Sequence, residues 1–199
     1  MRRAIFLDRD GTINVEKEYL HRAEEFEFIN GAPQAVRILN EAGFFVVVVT
    51  NQSGVARGYY SEEDVEMLHR HIDRELGKVG ARVDAWFYCP HHLQGNGGYA
   101  LECDCRKPLP GMLLEAARRY GIDLAASLMV GDKLDDIKAG IAAGCRSILV
   151  RTGYGASEES RIPGGTEVYD NLLEAVQTIT RPHQGPVKVS PISRQFQSD

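Results

Sequence analysis

The chain has no surplus of positive charge. Its 23 lysines and arginines are outnumbered by 28 acids, leaving a net charge of −5. That excludes a general basic field of the kind that gathers nucleic acid, and no stripe of interleaved basic and aromatic residues stands in for one. Long apolar runs are missing too: none approaches the roughly 20 residues of a membrane helix. Met1-Arg2-Arg3 is basic, but the apolar stretch behind it ends at Asp8, too short for a signal-peptide core. The expectation is a cytoplasmic protein without a membrane or nucleic-acid partner. Cysteines are few: Cys89, Cys103, Cys105 and Cys145. In a reducing compartment they read as thiols or metal ligands rather than disulfides. There is no internal repeat. What remains is ordinary for a globular chain, with 43% hydrophobic and 26% charged residues in 199. That is enough for one domain with a real core.

Short apolar runs alternate with longer amphipathic ones. Candidate strands are 4–8, 44–50, 85–89, 127–132 and 147–151. Phe44–Val49 is apolar on both faces, which suits a strand of a parallel sheet covered on both sides. Ser61 and Asp64 form a capping-box variant ahead of a helical stripe of Val65, Leu68, Ile72, Leu76 and Val79. Pro110 opens a second helix with Leu113, Leu114 and Ala117 inward and Gly121 past its end. Leu134, Ile137 and Ile141 mark a third, closed by Gly144. Repeated β-α-β order implies right-handed crossovers and an α/β, doubly wound, mainly parallel sheet with helices on both faces. Residues 1–180 read as a single domain. Residues 181–199 read as a polar, proline-punctuated tail that is loosely held.

In such sheets ligands bind beyond the C-terminal ends of the strands. Asp8, Thr50, Cys89 and Asp132 all fall there. Asp8-Arg9-Asp10-Gly11-Thr12 directs two carboxylates from one strand end, an arrangement that needs a cation or a proton between them. It suits a carboxylate nucleophile, a proton carrier and Mg²⁺ in phosphoryl transfer. Thr50-Asn51-Gln52-Ser53-Gly54 offers a hydroxyl, successive N–H groups and a glycine, a nest for phosphate. Arg106-Lys107-Pro108 places two cations where they could screen a carboxylate and hold a phosphoryl oxygen. In Gly131-Asp132-Lys133-Leu134-Asp135-Asp136, Asp132 is a natural hard-cation ligand. Asp136, one helical turn on, could face the same ion, whereas Asp135 should point elsewhere.

Together, in this order from Ile5 to Asp136, the four blocks resemble the haloacid dehalogenase (HAD) superfamily of phosphatases. The resemblance implies a HAD-like Rossmannoid fold and a role for each matching position. Asp8 would form an aspartyl-phosphate, and Asp10 would protonate the leaving alkoxide and then activate water. Asp8, the Asp10 carbonyl and Asp132 would bind Mg²⁺, and Asp136 would stand just outside them. Thr50 and the Asn51 N–H would hold the phosphoryl group, and Lys107 would balance charge. The resemblance also implies no large cap domain. The segment from Gly11 to Pro33 is too short for one, so short loops must hold the substrate.

Cys89-Pro90-His91 and Cys103-Asp104-Cys105 are separated by eleven residues. Three thiols and an imidazole fit tetrahedral zinc, and four protein ligands leave no open position, so the site over 89–105 reads as structural. His92 competes with His91. Cys145 reads as a buried small hydrophobe. This Cys-x-His…Cys-x-Cys-Arg-Lys-Pro block is similar to the histidinol-phosphatase branch, which comprises histidinol-phosphate phosphatases and D-glycero-D-manno-heptose 1,7-bisphosphate 7-phosphatases. Residues 50–58, Thr-Asn-Gln-Ser-Gly-Val-Ala-Arg-Gly, and the loop Asn14–Leu20 resemble the heptose group. That similarity implies removal of the C7 phosphate in nucleotide-activated heptose biosynthesis, by a monomer acting on a small phosphorylated sugar. Asn51, Gln52 and Ser53 would contact the substrate, and Arg57, Arg106 and Lys133 would meet its second phosphate. Histidinol phosphate is the rival substrate. A zinc-stabilised nucleic-acid-binding protein is disfavoured by the charge. A catalytically dead scaffold is disfavoured because every acid the mechanism needs is present.

Overall fold

The computed structural model describes residues 1–181; the tail expected over 182–199 lies outside the described residues. Six strands form one sheet: β1 (Ala4–Leu7), β2 (Phe45–Asn51), β3 (Ala85–Cys89), β4 (Leu128–Gly131), β5 (Arg146–Val150) and β6 (Glu167–Tyr169). Their spatial order is β3-β2-β1-β4-β5-β6, and every neighbouring pair is parallel. The helices are α1 (Ala32–Glu41), α2 (Ser53–Arg57), α3 (Glu62–Gly77), α4 (Gly111–Tyr120), α5 (Leu134–Ala143), α6 (Gly155–Glu158) and α7 (Leu172–Thr180).

The two-residue period of the strands sorts their side chains into two cores. Ile5, Leu7, Val46 and Val48 pack with α1, α3 and α7 through Val36, Leu39, Leu68, Ile72 and Val176. Ala4, Phe6, Val47 and Val49 face the other way, onto Met112, Leu113 and Ala116 of α4 and Ala139 and Ala143 of α5. Each fully buried large aliphatic or aromatic side chain contributes about 1.5–3 kcal/mol. These two layers, not local helix propensity, hold the helices in place. The expected doubly wound sheet is therefore present. Among the described residues no domain is inserted, and no helix is long and apolar enough to cross a membrane.

The chain runs outward from β1 to β3, then returns to place β4 beside β1. That reversal opens a crevice at the C-terminal ends of β1 and β4, where Asp8 and Asp132 follow their strands. The Asp8 N–H still bonds the Val130 carbonyl at 2.9 Å, so the two loops leave the sheet in register.

Several expectations need correction. Strand β6 was not anticipated; it is three residues at a sheet edge, too short to show a period. Val79 lies beyond the end of α3 and is exposed. Leu114 and Ile141 also face solvent. The inward stripe of α4 runs through Met112, Leu113 and Ala116 instead. In α5 it runs through Ile137, Gly140 and Ala143, because Gly140 lets the helix approach Met129 and Ser147 where a Cβ would collide. The capping box at Ser61 and Asp64 is present as expected.

Candidate active site

Asp8 is buried at the end of β1. Behind it the chain turns tightly: the Arg9 carbonyl accepts the N–H groups of Thr12, Ile13 and Asn14. Gly11 takes a φ of 80°, and a Cβ there would sit inside the Asp132 carboxylate; the same is true of Gly153 at a φ of 58°. Both glycines are needed because the two strand ends press together around that carboxylate. Asp132 is fully buried. One oxygen accepts the Tyr154 N–H at 2.8 Å, and the other, Oδ1, has no partner.

Lys107 binds the cluster together. Its buried ammonium donates to Asp8 Oδ1 at 2.8 Å, to Asp136 Oδ1 at 2.5 Å and to the Val49 carbonyl at 2.8 Å. The Asn51 side chain fixes the Lys107 backbone on both sides, donating to its carbonyl and accepting from its N–H, each at 3.0 Å. Burial, reinforced by Asp136, raises the Asp8 pKa to about 6 despite Lys107. Burial, with Asp8 and Asp136 beside it, raises Asp132 to about 8. Burial would lower Lys107, but Asp136 and Asp8 outweigh it and its pKa is raised. The pocket thus holds more negative charge than its lysine neutralises. Carboxylate oxygens of Asp8, Asp132 and Asp136 lie within 4.8 Å of one another. An all-oxygen set with an orphaned Asp132 oxygen fits a hard divalent cation. Asp136 already serves Lys107 and also caps α5, accepting the Lys133 N–H at 2.9 Å, which leaves Asp8 and Asp132 as the freer donors.

Asp10 leans the other way. Its carboxylate receives Arg9, Asn14 Nδ2 at 2.9 Å and Gln52 Nε2 at 3.1 Å. Burial pushes its pKa up, but Arg9 and these hydrogen bonds prevail and hold it below the ordinary value. Gln52 also donates to Thr50 Oγ1 at 2.8 Å and accepts from the Tyr60 hydroxyl at 2.7 Å. Its side chain therefore orients Asp10 and Thr50, and it also lines a cavity beside Asp10.

Thr50, Asn51, Ser53, Arg106, Lys107 and Lys133 join Asp8 and Asp10 around a cavity of about 170 Å³. Asp135, expected to point elsewhere, lines it as well, because the first turn of α5 faces the crevice. A neighbouring cavity of about 320 Å³ shares Asp10, Asn51, Ser53 and Lys133 and adds Glu16, Tyr19, Tyr60 and Tyr154. Lys133 spans both; its ammonium pairs with Glu16 at 3.0 Å and lies over the Tyr154 ring. Arg57 departs from expectation. It lines neither cavity, and its guanidinium turns instead to His92 Nε2 at 3.5 Å. The cause is its place at the C-terminal end of α2, whose first turn, at Ser53, is the part that faces the site. The sequence reading missed Glu16, Tyr60 and Tyr154 as lining residues, since no local motif marks them.

Cys89, His91, Cys103 and Cys105 converge. The Sγ–Sγ distances are 3.1, 3.2 and 3.5 Å, and His91 Nδ1 lies 3.4 Å from Cys105 and 3.9 Å from Cys89. Bonds of about 2.3 Å to sulfur and 2.0 Å to nitrogen put tetrahedral ligands roughly 3.5–3.8 Å apart, so the set is compatible with zinc, with two of the sulfur pairs drawn closer together than a bound ion would hold them. His92 is excluded from this cluster: its Nδ1 accepts the Gln94 N–H. The loop reaches the crevice through Arg106, which donates to the His91 carbonyl at 3.3 Å. Cys145 is buried among apolar residues, as expected.

Comparison with known proteins agrees with this geometry. A HAD-hydrolase-like family profile matches residues 104–175. The D-glycero-β-D-manno-heptose-1,7-bisphosphate 7-phosphatase of Escherichia coli K12 is 51% identical over 180 residues, covering 89% of this chain and 94% of that protein. The Haemophilus influenzae protein of the same name is 44% identical, covering 91% and 96% respectively. The crystal structure of a D,D-heptose 1,7-bisphosphate phosphatase from B. bronchiseptica, complexed with magnesium and phosphate, superposes with a TM-score of 0.81. It is 39% identical and covers 89% of this chain and 97% of that one. On sequence, fold and coverage alike, the chain belongs to the family of heptose-1,7-bisphosphate 7-phosphatases, within the HAD-like hydrolases.

Proposed function

We propose that this chain hydrolyses the C7 phosphate ester of D-glycero-β-D-manno-heptose 1,7-bisphosphate through an aspartyl-phosphate on Asp8. The observation that carries this reading is the Asp8–Lys107–Asp136 ion cluster, with Asp132 and Asp10 beside it, at the C-terminal ends of the strands in a chain related to a heptose-bisphosphate phosphatase that was crystallised with magnesium and phosphate. Asp8 attacks phosphorus, while Asp10, which must enter this step protonated although its neighbours favour the carboxylate in the free enzyme, delivers that proton to the departing C7 oxygen. With the alcohol gone, Asp10 takes a proton from water as it attacks the aspartyl-phosphate, and phosphate is released. Lys107, the Thr50 hydroxyl and the backbone N–H groups of Asn51 and Ser53 meet the phosphoryl oxygens, while the Gln52 N–H is held by the Cys89 carbonyl. Asp8, Asp132 and the Asp10 carbonyl would hold Mg²⁺, which when bound neutralises phosphoryl charge. The enzyme acts as a monomer.

The C7 phosphate sits on a primary carbon and can reach the small cavity around Asp8. The larger cavity beside it takes the sugar, and Arg106 and Lys133 at the rim pair with the C1 phosphate. Arg57 holds the zinc loop through His92. A partly desolvated, bidentate phosphate contact contributes on the order of 1.5–3 kcal/mol. The bisphosphate should therefore be preferred over the monophosphate of the same sugar by roughly 10- to 150-fold in kcat/KM. Steady-state assays of the heptose bisphosphate, the C7 monophosphate and histidinol phosphate test this. Faster turnover of histidinol phosphate would sink the substrate assignment and revive the rival reading, which the named relatives do not favour.

Cys89, His91, Cys103 and Cys105 hold a structural zinc that shapes the loop behind Arg106 and Lys107. About one zinc per chain should co-purify, as for a closed four-ligand site. Cys103→Ser should lose the metal and melt at lower temperature, while Mg²⁺ remains necessary for activity. Elemental analysis of unchelated protein showing no zinc would remove this claim.

A further inference from the structure

Arg9 is among the largest fully buried side chains of the protein, 1% exposed. The chemistry above does not use it, and burying a guanidinium is costly unless its N–H groups are met. They are met almost entirely by two things: the Asp10 carboxylate and the groups that fix Arg9 itself. Nε reaches Asp10 Oδ1 at 3.2 Å, and Nη2 reaches Oδ1 and Oδ2 at 3.1 and 2.9 Å. Nη2 also donates to the Leu20 carbonyl at 3.0 Å, and Nη1 faces His69 Nε2 at 3.4 Å.

His69 comes from α3, is nearly buried, and stacks on Trp86 with ring centroids 4.2 Å apart. The nitrogen facing Arg9 has only a cationic donor before it, so it must accept, which puts the ring proton on Nδ1. The Trp86 indole N–H in turn is held by Asp73. A rigid series therefore runs from α3 and β3 through His69 and Arg9 to Asp10. Leu20 ties the same guanidinium to the loop carrying Glu16, Tyr19 and Leu20, which line the larger cavity.

From this geometry we propose that Arg9 is a positioning residue for Asp10, braced by His69 and the Leu20 carbonyl, and that it sets the aim of the proton-bearing carboxylate at the leaving oxygen. The planar fork is the operative feature. A lysine supplies the same charge without two fixed N–H directions. The proposal rests on the reading of Asp10 as the proton carrier.

The test uses leaving groups. A sugar alkoxide needs a proton as it departs; p-nitrophenolate does not. Full-length Mg²⁺-loaded enzyme in excess over substrate is followed through the first step alone, the single-turnover release of the sugar alcohol or of p-nitrophenolate, because water attack on the aspartyl-phosphate uses Asp10 with either substrate. Arg9→Lys should lower the single-turnover rate of alcohol release from the bisphosphate about 10²-fold, yet lower that of p-nitrophenolate release less than about 3-fold, as expected of a misplaced proton donor. His69→Phe, which keeps the stacking but removes the acceptor, should show a smaller loss of the same selective kind. His69→Gln, which restores an acceptor, should recover it. Equal losses on both substrates in Arg9→Lys, or no difference between His69→Phe and His69→Gln, would overturn the proposal. Asp10→Asn separates the two levels. If it slows both single-turnover releases equally, the reading of Asp10 as proton donor fails. If it is selective while the Arg9 and His69 variants are not, only the positioning role fails.

Discussion

Asp8→Asn should abolish turnover while leaving the fold intact. The amide is isosteric, so the hydrogen bond from Lys107 at 2.8 Å can still be accepted by its oxygen. It can neither attack phosphorus nor serve as an anionic metal ligand. Removing the nucleophile from a hydrolase that works covalently costs on the order of 10⁴–10⁶ in kcat. The same change relieves carboxylate crowding with Asp136 and Asp132, so thermal stability should hold or rise. Activity and melting temperature measured together check this. Hydrolysis at near wild-type rate would refute the covalent route, and a collapsed fold would refute the electrostatic account of the cluster.

Lys107→Met should damage both stability and activity. The ammonium is 2% exposed and is the cation shared by Asp8 and Asp136. Methionine matches its length but leaves two buried carboxylates facing each other without a counter-charge. Breaking a buried pair from one side costs about 3–5 kcal/mol. For a domain of this size that lowers the melting temperature by roughly 6–20 °C. Loss of a positive group aimed at the transferring phosphoryl should reduce kcat by about 10²–10³-fold. If Mg²⁺ is held by the same crowded acids, as proposed, saturating Mg²⁺ should recover part of the lost stability, by mass action on the folded state. Melting curves with and without Mg²⁺ provide the check. An unchanged melting temperature in the absence of metal would show that Lys107 is not what balances the cluster.

Much of this site is legible in the chain because its parts sit at strand ends. Asp8, Thr50, Cys89 and Asp132 each follow an apolar run, and a doubly wound sheet brings such positions together whatever the helices between them do. Zinc-ligand candidates are legible because thiols and imidazole in two close pairs have few other uses. What the sequence hides is how polar side chains share partners across loops. Gln52 reads as a ligand contact and lines the larger cavity, but the sequence does not show that its amide also binds Tyr60, Thr50 and Asp10. Arg57 sits in a matching stretch, yet α2 carries it to His92. Arg9 stands inside the most informative motif and still looks like a spacer, because its partner His69 is sixty residues away. The edge strand β6 is hidden for a simpler reason: three residues cannot display a period.

The most direct measurement is a phosphorus NMR time course of the wild-type enzyme with Mg²⁺ and D-glycero-β-D-manno-heptose 1,7-bisphosphate. The account predicts that the C7 resonance disappears as inorganic phosphate grows, while the C1 resonance persists until the bisphosphate is consumed. Loss of the C1 phosphate first, or release of both at comparable rates, would contradict it.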